Sequence, residues 1–207
     1  MLDVGASIPE FSLKATDGRL VTAEGLRGRR FVLYFYPKDD TPGCTRQACD
    51  FRDQLPQFAQ IGVPVFGVSA DTESSHMKFA AKYSLGFPLL ADPELTLLKA
   101  IGVWVQKSMY GKTYMGVTRA TLVIDANGRV EKVWEKVKPE GHAEDVLTYL
   151  GGAAKKAAPA ETQAAAKKTI SAKKAAPTGQ AAAAKKSAPA KKAAPETKAA
   201  AAKKAKR

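Results

Sequence analysis

The chain has 207 residues and a formal charge of +13, all of it at one end: residues 1–151 hold 18 Lys+Arg against 18 Asp+Glu, and residues 152–207 hold 15 against two. The first part is long enough for one domain with its own core, whereas the second has a single branched aliphatic, Ile170, and cannot offset the entropy of ordering itself by burial. No run approaches the 18 apolar residues of a membrane span, and Met1-Leu-Asp-Val-Gly-Ala-Ser7 lacks the basic and apolar regions of a secretion signal, so a membrane protein is excluded and a cytoplasmic location is expected.

Residues 8–26 predict a hairpin and loop turning at Asp17-Gly18. Phe31-Val-Leu-Tyr-Phe-Tyr36 is an apolar run of strand length. A loop containing Pro37, Thr41 and Pro42 then leads into helical spacing at Ala48, Phe51, Leu55 and Phe58, which predicts a helix over about 44–60, ended by Gly62. Pro64-Val-Phe-Gly-Val-Ser69 reads as a second buried strand. A helix with Met77, Phe79, Ala80 and Tyr83 follows, stopped by Gly86 and Pro88. Leu89-Leu-Ala91 is short and extended, and a short helix covers about 94–101. Ala120–Asp125 and Val130–Trp134 are strands joined at Ala126-Asn127-Gly128, and a last helix over about 141–150 ends at Gly151-Gly152. The order βαβα, hairpin, α implies an α/β fold: a mixed sheet with helices on both faces, and ligand sites at the carboxyl ends of its strands.

Residues 155–207 repeat with a period of 18: KKAAPAETQAAAKKTISA, KKAAPTGQAAAAKKSAPA, KKAAPETKAAAAKKAKR. Alanine favours helix, but Pro159, Pro177, Pro189 and Pro195 interrupt it, so a disordered tail is expected.

The two cysteines of the chain, Cys44 and Cys49, lie five apart in Pro37-Lys-Asp-Asp-Thr-Pro-Gly-Cys-Thr-Arg-Gln-Ala-Cys49. Cys44 falls in the first turn of the predicted helix, directly after a strand. Outward N–H groups and the helix dipole there favour the thiolate, which is the nucleophile. A thiolate that attacks a peroxide O–O bond becomes a sulfenic acid, and a second thiol must condense with it before further oxidation. Residues five apart on an intact helix have Cα atoms about 8–9 Å apart, beyond the roughly 7 Å limit of a disulfide, so bond formation requires the first turns to unwind. Thr41 is placed to offer its hydroxyl to a peroxide oxygen. Pro37 and Pro42 stiffen the loop and shield it from water. A cation is needed to hold the thiolate; Arg119, at the start of strand 120–125, is the best candidate, and Arg46 is the runner-up, expected to face solvent.

The pattern Pro37-(x3)-Thr41-(x2)-Cys44 resembles the peroxidatic loop of peroxiredoxins. The continuation Thr-Pro-Gly-Cys-Thr-x-Gln-Ala-Cys is similar to that of the bacterioferritin comigratory protein/peroxiredoxin Q group. Val68-Ser-Ala-Asp71, Phe87–Asp92, Tyr110–Gly116 and Thr118-Arg-Ala-Thr121 match that group as well. The resemblance covers about residues 3–151. It implies a thioredoxin-like fold with an N-terminal hairpin extension and a thiol peroxidase acting on hydrogen peroxide and organic hydroperoxides. It also implies a peroxidatic Cys44, a resolving Cys49, peroxide-activating Thr41 and Arg119, and a shielding Pro37. It suggests thioredoxin or a similar dithiol as reductant, with no cofactor and no metal. The tail is a departure, and resembles bacterial histone H1-like Lys/Ala/Pro repeats.

Other readings compete. The cysteines could be inert buried thiols, or could exchange disulfides in the thioredoxin manner, although that prefers Cys-x-x-Cys. A zinc site would need more ligands, and His76 and His142 read instead as surface or helix-capping residues. Trp104, Tyr110, Tyr114 and Met115 read as cover for the core and a mobile loop rather than a peroxide pocket. Two functions of different class follow: a monomeric thiol peroxidase with a tethering tail, and a nucleoid-binding protein whose folded domain senses redox state. In both, residues 153–207 would bind DNA through phosphate charge alone, having no aromatic residue for stacking. The bland alternative is a solubilising tail.

Overall fold

A computed structural model describes residues 1–109 and 111–154. Tyr110 and residues 155–207, with the repeat and its expected disorder, lie outside the described residues. All described residues belong to one compact unit.

The elements run β1 (Ser12–Ala15), β2 (Leu20–Thr22), β3 (Phe31–Phe35), α1 (Pro42–Gln60), β4 (Val65–Ser69), α2 (Glu73–Tyr83) and β5 (Leu89–Ala91). They continue with α3 (Thr96–Ile101), β6 (Trp104–Met109), β7 (Lys112–Val117), β8 (Ala120–Ile124), β9 (Val130–Glu135) and α4 (His142–Ala154). A seven-stranded sheet has the order β2-β1-β5-β4-β3-β8-β9, parallel across β5-β4-β3 and antiparallel elsewhere. This is the mixed α/β sheet that the element order implies and the thioredoxin-like fold that the resemblance implies, with the β1–β2 hairpin added at one edge.

Period-two alternation sorts the central strand into two cores. Phe31, Leu33 and Phe35 join Leu97, Leu98 and Ile101 of α3 on one face. Val32, Tyr34 and Tyr36 join Ala48, Phe51 and Phe58 of α1, Phe79 of α2, and Val146 and Leu150 of α4 on the other. A strand covered on both faces reads as a continuous apolar run, which is why 31–36 shows no polar alternation.

Two sequence expectations fail. β6 and β7 form a two-stranded antiparallel hairpin outside the main sheet, in register from Trp104↔Val117 to Met109↔Lys112, rather than a loop. Gln106, Lys107 and Ser108 break the apolar alternation that marks a strand, and the pairing supplies the order instead. Helix α4 does not end at Gly151-Gly152 but continues through both to Ala154. A glycine in a helix is destabilising by only about 1 kcal/mol, and buried Val146 and Leu150 fix the preceding turn.

Candidate active site

The site forms where β3 gives way to α1. Thr41 caps the helix with extended backbone and its carbonyl accepts from Thr45 N–H at 2.8 Å. Pro42 occupies the first helical position, where its missing N–H is not needed. Cys44 thus sits in the first turn, 2% exposed. Strand β8 pairs antiparallel with β3 so that Ala120 faces Phe35. Arg119 is thereby carried just past the carboxyl end of β3, beside the cysteine loop.

The Arg119 guanidinium donates from Nη2 to Cys44 Sγ at 3.2 Å and from Nε to Gln47 Oε1 at 3.0 Å. Gln47 lies one helical turn after Cys44, on the same face, and is fully buried. It orients Arg119, and its own amide nitrogen is buried with no partner among the described residues. Gly43 makes room for this arrangement. A Cβ there would lie 3.2 Å from Arg119 Nη2 and 3.4 Å from Pro139 Cγ.

The remaining candidates fall as follows. The Thr41 hydroxyl donates to the Lys38 carbonyl at 3.1 Å. Its proton is thus committed away from the sulfur, and what it retains toward a substrate is acceptor capacity. Pro37 is half-buried, immediately after Tyr36. Cys49 is half-buried and Cys44 buried, both thiols are free, and α1 is continuous through both. Arg46 is exposed and paired with Glu140.

Both histidines are buried, not surface residues. His142 Nε2 lies 2.8 Å from the Thr121 hydroxyl, and burial pushes its imidazole down from the ordinary 6.5 to about 4. His76 Nδ1 lies 2.8 Å from Asp39 Oδ2 and its Nε2 3.2 Å from the Leu90 carbonyl. Tyr36 and Ser75 hydroxyls also donate to the Asp39 carboxylate, each at 2.7 Å. Burial pushes Asp39 up, but the His76 pairing and the two hydroxyl bonds outweigh it and hold the carboxyl below its ordinary range.

Lys107 was not a sequence candidate. Its Nζ donates to the Val117 carbonyl at 2.6 Å. Its ammonium is pushed down by burial first and by the Arg119 charge second, against an opposing pull from Cys44, so it is a second cation in the electrostatic field of the site. Of the aromatic and thioether residues considered, Tyr114 and Met115 are exposed on β7.

With cationic Arg119 on the sulfur, an acceptor hydroxyl nearby and a buried thiol, the arrangement suits attack by sulfur on a small electrophile. The AhpC/TSA family model matches residues 4–133. Peroxiredoxin Bcp of Bacillus subtilis is 44% identical over 149 residues, covering 72% of this chain and 95% of that protein. Peroxiredoxin Bcp of Escherichia coli K12 is 42% identical over 149 residues, covering 72% and 96%. Among solved structures, a Xanthomonas campestris bacterioferritin comigratory protein, described for alkyl peroxide reduction, superposes with a TM-score of 0.69 at 39% identity, covering 74% of this chain and 98% of its own. A Xylella fastidiosa PrxQ mutant superposes with a TM-score of 0.71 at 37% identity, covering 74% and 98%.

Proposed function

Since the chain belongs to the AhpC/TSA family and, within it, to the Bcp/peroxiredoxin Q peroxiredoxins, it is a thiol peroxidase, and we propose that it works through Cys44, Cys49, Thr41, Arg119 and Pro37. The observation that carries this reading is the 3.2 Å contact from Arg119 to the Cys44 sulfur.

The Cys44 thiolate attacks one oxygen of the peroxide. The O–O bond breaks, and the departing oxygen takes the electron pair and a proton to leave as water or an alcohol. Sulfur keeps the other oxygen as sulfenic acid. Arg119 stabilises the thiolate before attack and the charge on the breaking O–O bond during it. Thr41 accepts the hydrogen bond of the bound peroxide and aligns it. Pro37 shields the sulfur from water.

Cys49 then attacks the sulfenic sulfur, forming the Cys44–Cys49 disulfide and releasing water. Because both residues ride on α1, its first turns must unwind for the sulfurs to meet. A thioredoxin-type dithiol supplies the two electrons that reopen the bond. Hydrogen peroxide and organic hydroperoxides both suit a site that binds only the O–O group.

The test is peroxide consumption with and without a thioredoxin system. Sustained turnover only with the dithiol supports the cycle, whereas turnover in a Cys44→Ser protein would overturn it.

The sequence carries a second element of function. Fifteen cations in 152–207, against a neutral remainder, suit non-specific attachment to nucleic acid phosphate. On this reading the chain is a monomeric cytoplasmic peroxidase held near the nucleoid. The alternative, a DNA-binding protein with a redox-sensing domain, would show no sustained peroxide turnover.

A further inference from the structure

The loop that delivers Thr41 and Cys44 is fastened to α2 through Asp39 and Asp40. The Asp39 N–H donates to Asp71 Oδ2 at 2.9 Å, in the turn before α2. The Asp39 carboxylate takes Ser75 and His76, in the first turn of α2. The Asp40 carboxylate takes Lys82 Nζ at 2.7 Å and the Tyr83 hydroxyl at 2.6 Å, in its last turn. Asp40 itself has φ 54°, a left-handed conformation that a non-glycine residue holds only when its surroundings impose it.

His76 is the centre of this arrangement and is 0% exposed. Its Nε2 faces the Leu90 carbonyl at 3.2 Å, and its Nδ1 faces the Asp39 carboxylate at 2.8 Å with the Tyr36 hydroxyl 3.4 Å away. The ring thus joins the loop to β5 through its own plane.

We propose that His76 is a positioning residue for the Cys44 reaction: with Asp39 it makes a fixed abutment from which the first turns of α1 unwind and to which they return. The proposal rests on the peroxidase reading. None of these bonds is to α1, so none has to break when Cys44 leaves its place to meet Cys49. Thr41 stays beside the abutment, and rewinding brings the sulfur back under Arg119 in the same alignment.

The test uses full-length protein carrying Cys49→Ser, in which Cys44 is the sole thiol, with His76→Gln, Asp39→Asn, Asp39→Ala or Lys82→Met added. Single-turnover peroxide oxidation and iodoacetamide alkylation are measured on each. Misplacement by an ångström lowers a rate on the order of 10- to 100-fold, and that loss is expected for peroxide in His76→Gln and Asp39→Ala. Alkylation, which needs an ionised thiol but no aligned peroxide, should hold its rate. Asp39→Asn should recover most of the peroxide rate, because the amide keeps the size and the hydrogen-bonding reach of the carboxylate. If His76→Gln fails to fold, Lys82→Met, which leaves the core intact, should show a smaller loss of the same kind.

Wild-type peroxide rates in folded His76→Gln and Asp39→Ala, or equal losses of both rates, would overturn the proposal. Amide exchange decides it independently in the protein with both cysteines. The Asp39 amide should stay protected in the reduced and the diamide-oxidised protein, and should lose protection in His76→Gln. Its deprotection on oxidation of the wild type would overturn the abutment. A wild type inactive on peroxide would sink the peroxidase reading instead, and the exchange result would still stand.

Discussion

At the residue scale, the Arg119 guanidinium is the single polar partner of the Cys44 sulfur among the described residues, and it is held in place by Gln47. Arg119→Met removes a charge-assisted donor from the thiolate and from the transition state. Peroxide oxidation of Cys44 should slow by about 10²–10³-fold, the scale of one such donor; stopped-flow tryptophan fluorescence checks it, and an unchanged rate would exclude Arg119 from the chemistry. In the proposed cycle the two cysteines separate by role. Cys44→Ser should consume no peroxide, whereas Cys49→Ser should consume about one equivalent and stop as sulfenic acid, open to further oxidation without an external thiol. Cys44, Thr41 and Pro37 were legible in the chain because they are neighbours along it, set by one strand-to-helix junction. Arg119 was legible because a strand start has a calculable place relative to that junction. Gln47 could have been found from its spacing of three after Cys44. The Asp39–His76 pair could not, because it bridges 37 positions between a loop and a helix whose docking only the tertiary fold determines.

At the scale of elements, α1 is the part that the proposed cycle requires to move. In the disulfide form, amide exchange over residues 43–54 should rise, because intact helical turns hold the sulfurs too far apart. Equal protection in both redox states would contradict the unwinding. Helix α4 carries a pH dependence of its own. His142, at its first residue, is packed against Phe51 of α1 and Trp134 of β9, beside the Thr121 hydroxyl of β8, with the Asp50 and Asp145 charges near it. Its folded value lies below its unfolded one, so the unfolded chain binds this proton first. The stability it confers is complete above about 6.5 and is lost as pH falls toward about 4. Denaturant midpoints measured across that window should decline, and His142→Gln should flatten the decline; an unaltered slope would remove His142 as the cause. The main strands were readable as apolar runs, since a sheet covered on both faces demands them. The β6–β7 hairpin was not, because it lies outside that sheet and Gln106 and Ser108 stay in solvent. Nor was the end of α4, where burial of Val146 and Leu150 outweighs two glycines.

At the scale of the whole molecule, the charge is divided in a way that would separate catalysis from the proposed attachment. The catalytic candidates all precede residue 120, and the excess cations all follow residue 151. A gel shift on random-sequence duplex should show binding by the full-length chain that weakens steeply between about 50 and 200 mM salt, the mark of counterion release. A chain ending at Gly152 should lose that binding and keep its peroxidase rate. Equal shifts at low salt would reduce the basic segment to a solubilising role. Among the described residues no helix is long and apolar enough to cross a membrane, so attachment by a spanning helix does not compete there.

Placing both thiols on one helix of one chain has a further consequence. In the proposed cycle, closure of the Cys44–Cys49 disulfide is first order in protein, so its rate does not depend on protein concentration. The interval in which the sulfenic acid stands exposed to a second peroxide is then set by how fast two turns of helix come apart. Substitutions that strengthen those turns would lengthen that interval and make the enzyme easier to inactivate, while leaving its first encounter with peroxide as fast as before.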